Sequence, residues 1–154
     1  MQLPPSVWGP FFWHTIHISA LGYPQKPSYN QKKAAKEFYE ALVFLIPCPI
    51  CREHYSQFLQ GNPIAPSLDR REDLFKWTVD LHNSVNKQLG KPRFTESDSI
   101  AFYSRLGALG RSPVITTDDF AEADMRAILR GFGLGVAVTA VCGATVWYVS
   151  KGDS

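Results

Sequence analysis

The sequence predicts an all-α fold, on three observations. Apolar residues recur at helical spacing in five successive stretches between Trp8 and Leu106. No stretch alternates apolar and polar residues long enough to make a strand. Glycines and prolines fall between the periodic stretches, at Gly22, Pro24, Pro47, Gly61, Gly90, Pro92 and Gly107, where helices stop. With 154 residues, 45% of them hydrophobic and 19% charged, the chain can build one ordinary core and has length left for an appendage.

In the first helix, Trp8 to Leu21, Trp8, Phe12 and Ile16 form one stripe, with Gly9, Trp13 and His17 beside it. It is apolar nearly all round, so it is expected at the centre, with a partner for His17. Ala35, Phe38, Leu42 and Leu45 mark a second, amphipathic helix behind a Lys-rich face, stopped before Pro47. Pro49 suits the first turn of a third helix, in which Cys51, Tyr55 and Phe58 run to Gly61. Asn62 to Ser67 reads as a loop. A fourth helix follows Asp69, with Leu74, Trp77, Leu81, Val85 and Leu89 in its stripe. Thr95 or Ser97 caps a short fifth helix carrying Ile100, Tyr103 and Leu106, with Gly107 as its stop.

Residues 107–126 read as a linker, with Gly, Pro and Ser at its start and a helical turn from Asp118. Gly131 to Val149 then passes nineteen residues without a charge, enough to cross a bilayer core. Trp147 and Tyr148 sit where an interfacial belt would, and Gly131 and Gly135 allow close helix packing in lipid. Arg126 and Arg130 before the run, against Lys151 after it, place the preceding domain on the cytoplasmic side. A buried helix of a soluble protein is the competing reading. The expected division is a folded domain over 1–106, a linker over 107–126, a transmembrane anchor over 127–149 and a tail over 150–154. The N-terminus reads as neither a signal nor a transit peptide.

A net charge of +2 from 16 basic and 14 acidic residues lacks the excess that nucleic-acid binding demands. Three cysteines, one isolated at Cys142, make no disulfide framework of the secreted kind, which turns attention to Pro47-Cys48-Pro49-Ile50-Cys51. Cys48 falls at a helix N-terminus, where the free N–H groups and the helix dipole favour a thiolate, while Cys51 turns inward with Tyr55 and Phe58. That division suits an electron relay. A zinc site from Cys48, Cys51 and His54 with His82 or His17 competes, although structural zinc usually draws on a second close pair. A thioredoxin-like domain would need a βαβ context, and two inert core cysteines would not explain the prolines.

His82-Asn83-Ser84-Val85-Asn86-Lys87 interrupts the fourth helix with polar groups. Asn83 and Lys87 lie one turn apart, as do His82 and Asn86 on the neighbouring face. A solvated face would account for any one of them. Together, two amides, a histidine and a lysine can line a heteroaromatic ring and bind a phosphate, as a nucleotide cofactor requires.

Trp13-x-x-x-His17, Pro47-Cys48-x-x-Cys51 with Glu53-His54-Tyr55, Asn62-Pro63, Trp77, and His82-Asn83-x-Val85-Asn86-Lys87-x-Leu89-Gly90-Lys91-Pro92, in this order, resemble the Erv/ALR family of FAD-dependent sulfhydryl oxidases. The resemblance spans residues 8 to about 106 and implies a four-helix bundle, extended by a short fifth helix, that holds FAD beside the disulfide. It further implies Cys48 and Cys51 as the catalytic pair and Gly9, Trp13, His17, His54, Trp77, His82, Asn83, Val85, Asn86, Lys87, Lys91 and Tyr103 as the cofactor-binding set, with no metal. Dithiol substrates, a Cys-x-x-Cys relay protein among them, oxygen as acceptor, hydrogen peroxide as product and a homodimer through the first helices are implied likewise. Pro10 stands where many relatives carry Arg, and neither the disulfide that many relatives place near Val79 to Leu81 and Thr95 nor an extra shuttle dithiol is present. A domain so reduced is similar to versions encoded by large cytoplasmic DNA viruses, iridovirus-like ones among them. The alternative, from another class, is a zinc-stabilised, membrane-tethered interaction module without turnover.

Overall fold

The computed structural model describes residues 3–110, 112–114 and 117–152. It contains α1 (Pro5–Leu21), α2 (Tyr29–Leu45), α3 (Pro49–Gly61), a 3-10 turn (Ala65–Leu68), α4 (Arg71–Gln88), α5 (Glu96–Leu109) and α6 (Thr117–Gly152). No strand occurs among the described residues. Two compact units divide at Pro113 and Val114, with α1 to α5 in the first and α6 in the second.

Local chemistry explains the boundaries. Pro5 and Pro49 open α1 and α3, where a missing N–H costs nothing. Ser28 and Thr95 cap α2 and α5 through reciprocal capping boxes with Gln31 and Asp98. Gly90 and Gly110 end α4 and α5 with φ of 64° and 60°, a left-handed conformation that a side chain would strain. The expected stop at Gly107 is therefore three residues early, because the left-handed backbone that ends the helix falls on Gly110.

Within the first unit α1 packs on α4, α2 on α3, and α4 also meets α3, α5 and the 3-10 turn. Tyr39, Leu74, Phe75 and Leu81 are among the most deeply buried side chains. Each residue of this size contributes about 1.5–3 kcal/mol by leaving water. Three tyrosines tie the layers through backbone carbonyls: Tyr23 donates to Leu68 O at 3.0 Å, Tyr39 to Ile16 O at 3.0 Å and Tyr55 to Tyr39 O at 2.8 Å. Burial, the largest cause, raises the Tyr39 phenol to about 12 and the Tyr55 phenol further.

Several expectations shift. α1, expected at the centre, buries Gly9, Ile16, His17 and Ala20 but leaves Val7, Phe11 and Ile18 about half exposed, so only one of its faces meets the core. In α2 the buried positions are Tyr39 and Leu42, continued by Ile46 beyond the helix end, whereas Phe38 and Leu45 are exposed. An apolar pair at 38 and 39 supports either phase of the stripe, and the larger hydrogen-bonding ring takes the core. The loop expected at 62–67 includes the start of the 3-10 turn, which brings Leu68 into the core. In the second unit α6 absorbs residues 117–126, read above as linker. Asp124–Thr145 is long and apolar enough, by length and composition, to cross a membrane, and none of it is buried by the chain itself.

Candidate active site

Cys48 is the N-cap of α3 and is joined to Cys51 by a disulfide with a Cα–Cα distance of 5.1 Å. The spacing follows from one helical turn. The Cys51 N–H donates to Cys48 Sγ at 3.3 Å, so an amide of the first turn of α3 already points at that sulfur. Both cysteines are half-buried, but Cys51 packs against the apolar core. Cys48 stands at the chain's entry into the helix.

The second group of candidate side chains lies where α1 meets α4. Trp13 stacks on His82 with ring centroids 3.9 Å apart and planes 2° from parallel, and His17 stacks on the same imidazole at 5.2 Å. Phe94, Phe75 and Tyr103 close around them, and His14 Nδ1 meets Tyr103 Oη at 2.9 Å to tie α5 to α1.

Proton positions in this group follow from one fixed donor. The Thr78 hydroxyl donates to Phe75 O at 2.7 Å, so its oxygen can only accept from His17 Nδ1–H, 3.0 Å away. A neutral His17 then has a bare Nε2, which accepts from His82 Nδ1–H at 2.9 Å. His82 in turn presents an unprotonated Nε2. Neutrality holds because burial first, then His82 and His14, lower His17 to about 3. Burial first, then Lys91 and His14, lower His82 to about 4. The result is an uncharged stack of rings in which this hydrogen-bond chain leaves His82 Nε2 as an acceptor.

The other expected residues are placed as follows. Gly9 is buried in α1, three residues before Phe12. Trp77 is a core residue, donating from Nε1 to Asn62 O at 2.9 Å and meeting Tyr39 and Phe58 edge-on. Val85 is half-buried on α4. Asn86 is buried, and its Nδ2 has no hydrogen-bond partner among the described residues, a condition shared by Trp8 Nε1. Asn83 uses both ends of its amide on the Phe94 backbone, at 2.8 and 2.9 Å. His54 is half-buried on α3, while Lys87 and Lys91 are exposed. Among the described residues no ring contact or hydrogen bond joins these three to the Trp13–His82 stack, although the charge of Lys91 is felt at His82. His14, Thr78 and Phe94 were missed by sequence reading. The i, i+4 spacing of Thr78 and His82 and the i, i+3 spacing of His14 and His17 were the available signals.

Fold and site together define a helical protein with a Cys-x-x-Cys disulfide at a helix N-terminus and a stack of neutral rings between α1 and α4. The chain belongs to the Erv1/Alr family, whose profile matches residues 10–105. It is 34% identical over 117 residues to an FAD-linked sulfhydryl oxidase of African swine fever virus (isolate Tick/Malawi/Lil 20-1/1983), covering 76% of this chain and 91% of that protein. It is 36% identical over 99 residues to a protein of Acanthamoeba polyphaga mimivirus named as a probable FAD-linked sulfhydryl oxidase, covering 64% and 69%. Among solved structures, the FAD-binding domain of Erv1 from Saccharomyces cerevisiae superposes with a TM-score of 0.58 at 32% identity, covering 62% of this chain and 89% of that one.

Proposed function

We propose that this chain is an FAD-linked sulfhydryl oxidase that makes disulfides in partner proteins through Cys48 and Cys51, with oxygen as the acceptor and hydrogen peroxide as product. The observation that carries the reading is a Cys-x-x-Cys disulfide at a helix N-cap in a member of the Erv1/Alr family. Among the described residues no three His, Cys, Asp or Glu side chains are grouped to hold a metal ion, so nothing favours the zinc module.

The residues present fit FAD. Among the described residues the buried Asn86 Nδ2 has no hydrogen-bond partner, the tautomer leaves His82 Nε2 as an acceptor, and the rings of Trp13, His17 and His82 are flat, neutral and stacked, as a planar heteroaromatic group with polar edges requires. In this reading α1 to α4 form the four-helix bundle and α5 extends it over the cofactor. Trp13, His17, His82, Asn86 and Tyr103 would hold the ring system. Gly9, His54, Trp77 and Val85 would line the same site, and Lys87 and Lys91 would meet the phosphates. Asn83 acts through the Phe94 backbone that it fixes. Bound FAD supplies a two-electron acceptor that can pass electrons on to oxygen.

The chain's own residues carry the exchange. A substrate thiolate attacks Cys48 Sγ, and Cys51 leaves as a thiolate on the core side. The second substrate thiolate then attacks the mixed disulfide, releasing an oxidised substrate and Cys48 as a thiolate. Cys48 is a good leaving group because the Cys51 N–H and the positive end of α3 face the charge that forms on it.

Residues 127–149 anchor the chain in a membrane with the catalytic domain on the cytoplasmic side, and the domain forms a homodimer through its first helices. The length and apolarity of α6 and the division of the chain at Pro113 and Val114 support the first part. A form ending at Met125 is expected to be soluble, yellow and able to oxidise dithiothreitol with oxygen uptake at the rate of the full chain. Loss of folding or of flavin in that form would mean that α6 belongs to the catalytic core.

A further inference from the structure

Ala41 to Cys51 is an eleven-residue run without a charge that ends on the working disulfide. Leu42 and Ile46 bury their side chains in the core, but Phe44, Leu45 and Ile50 are 77%, 64% and 69% exposed. These three stand within four residues of Cys48 in sequence, on the last turn of α2 and the first turn of α3. Pro47 and Pro49, which are also exposed, stiffen the joint that holds them. The nearest cation in sequence, Arg52, donates from Nη1 to Phe44 O at 3.3 Å, so it is engaged with the end of α2. Large exposed apolar side chains so close along the chain to one reactive sulfur mark a contact surface. Here the occupant is fixed by chemistry, because any protein thiol that attacks Cys48 must bring its own chain against the residues on either side of that sulfur.

Building on the oxidase reading above, we infer that Phe44, Leu45 and Ile50 form a docking rim for reduced Cys-x-x-Cys segments flanked by large apolar residues. The rim sorts substrates before exchange. An apolar flank loses its water against the rim, whereas a charged or small polar flank finds no charge partner between residues 41 and 51 and little surface to cover. Exchange itself keeps the balance given above: the substrate dithiol loses two electrons and two protons, one disulfide forms in it, and Cys48–Cys51 opens to a dithiol.

The test compares two synthetic reduced peptides, both with a Cys-Gly-Pro-Cys centre, one flanked by Leu and Phe and the other by Ser. The wild-type chain is expected to oxidise the apolar peptide with a kcat/KM about tenfold higher, the effect of one or two buried side chains. The ratio should fall toward one in the Phe44→Ser, Leu45→Ser, Ile50→Ser triple variant, through KM rather than kcat. Trapping on Cys51→Ser, read as mixed disulfide formed with each peptide, should show the same preference without turnover. If the wild type oxidises dithiothreitol but treats the two peptides alike, or if the preference survives in the triple variant, the docking rim is wrong and the oxidase reading stands. A triple variant that turns from dimer to monomer with its peptide preference intact would assign the face to a second copy and overturn the inference. A wild-type chain that oxidises neither peptides nor dithiothreitol overturns the oxidase reading and the rim together.

Discussion

Cys48→Ser and Cys51→Ser are each expected to lower oxidase turnover on the order of a thousandfold or more, because neither sulfur alone can complete a dithiol exchange. Their other properties should differ. Cys48 caps α3 at the chain's entry into the helix, and Cys51 packs on the core. Cys51→Ser therefore keeps the sulfur that meets substrate, and should accumulate a mixed disulfide with a substrate thiol. Cys48→Ser keeps the inward sulfur. If the cofactor lies on that side, its thiolate should give a broad long-wavelength absorbance against oxidised flavin that Cys51→Ser lacks. Spectra of the two variants above the thiol pKa check the assignment. A band in Cys51→Ser alone would reverse it, and no band in either would separate the disulfide from the flavin.

Stability is expected to fall as pH drops from 6.5 to 5, with a slope approaching about 1.4 kcal/mol per pH unit for each of His17 and His82. The sign follows from the direction of the shifts. Folding lowers His17 from 6.5 to about 3 and His82 from 6.5 to about 4, so below pH 6.5 the unfolded chain binds protons that the folded chain refuses. The contribution is complete above pH 6.5 and is lost downward through that window. His14, also lowered by burial, adds in the same sense. Urea unfolding at pH 7.5, 6.5 and 5 measures the effect, and ring nitrogen NMR at pH 5 should find both imidazoles neutral. A midpoint that does not move across this range would mean that the pair is charged or open to water. Thr78→Val removes the acceptor that sets the His17 tautomer, so it should disturb both ring signals together.

The elements that sequence reading placed well are those with one dominant physical signal. In α4 the expected Leu74, Trp77 and Leu81 are buried, joined by Phe75 and Val79, while Leu89, expected in the same stripe, lies past the helix end and is exposed; Pro49 with Cys48 marks the start of α3 without ambiguity. Phe38 and Tyr39 show the opposite case: adjacent apolar residues leave the phase of α2 open until the core chooses. At the site, Trp13, His17 and His82 were legible as residues but their stacking was not, since it depends on how α1 faces α4. The proton wiring through Thr78 was illegible for the same reason, because a threonine in mid-helix carries no mark of the imidazole opposite. Asn83 was read as a ligand from its neighbours, whereas its amide fits the Phe94 backbone eleven residues on, a pairing that no helical periodicity encodes.

The oxidase reading is tested most directly by visible absorbance of the purified full-length protein during anaerobic titration with dithiothreitol. A yellow protein is expected, with flavin absorbance that bleaches as electrons arrive through Cys48 and Cys51 and returns when oxygen is admitted. The bleaching should fail in Cys51→Ser. A colourless protein containing zinc, or flavin absorbance that dithiothreitol leaves unchanged in the wild type, would contradict the account.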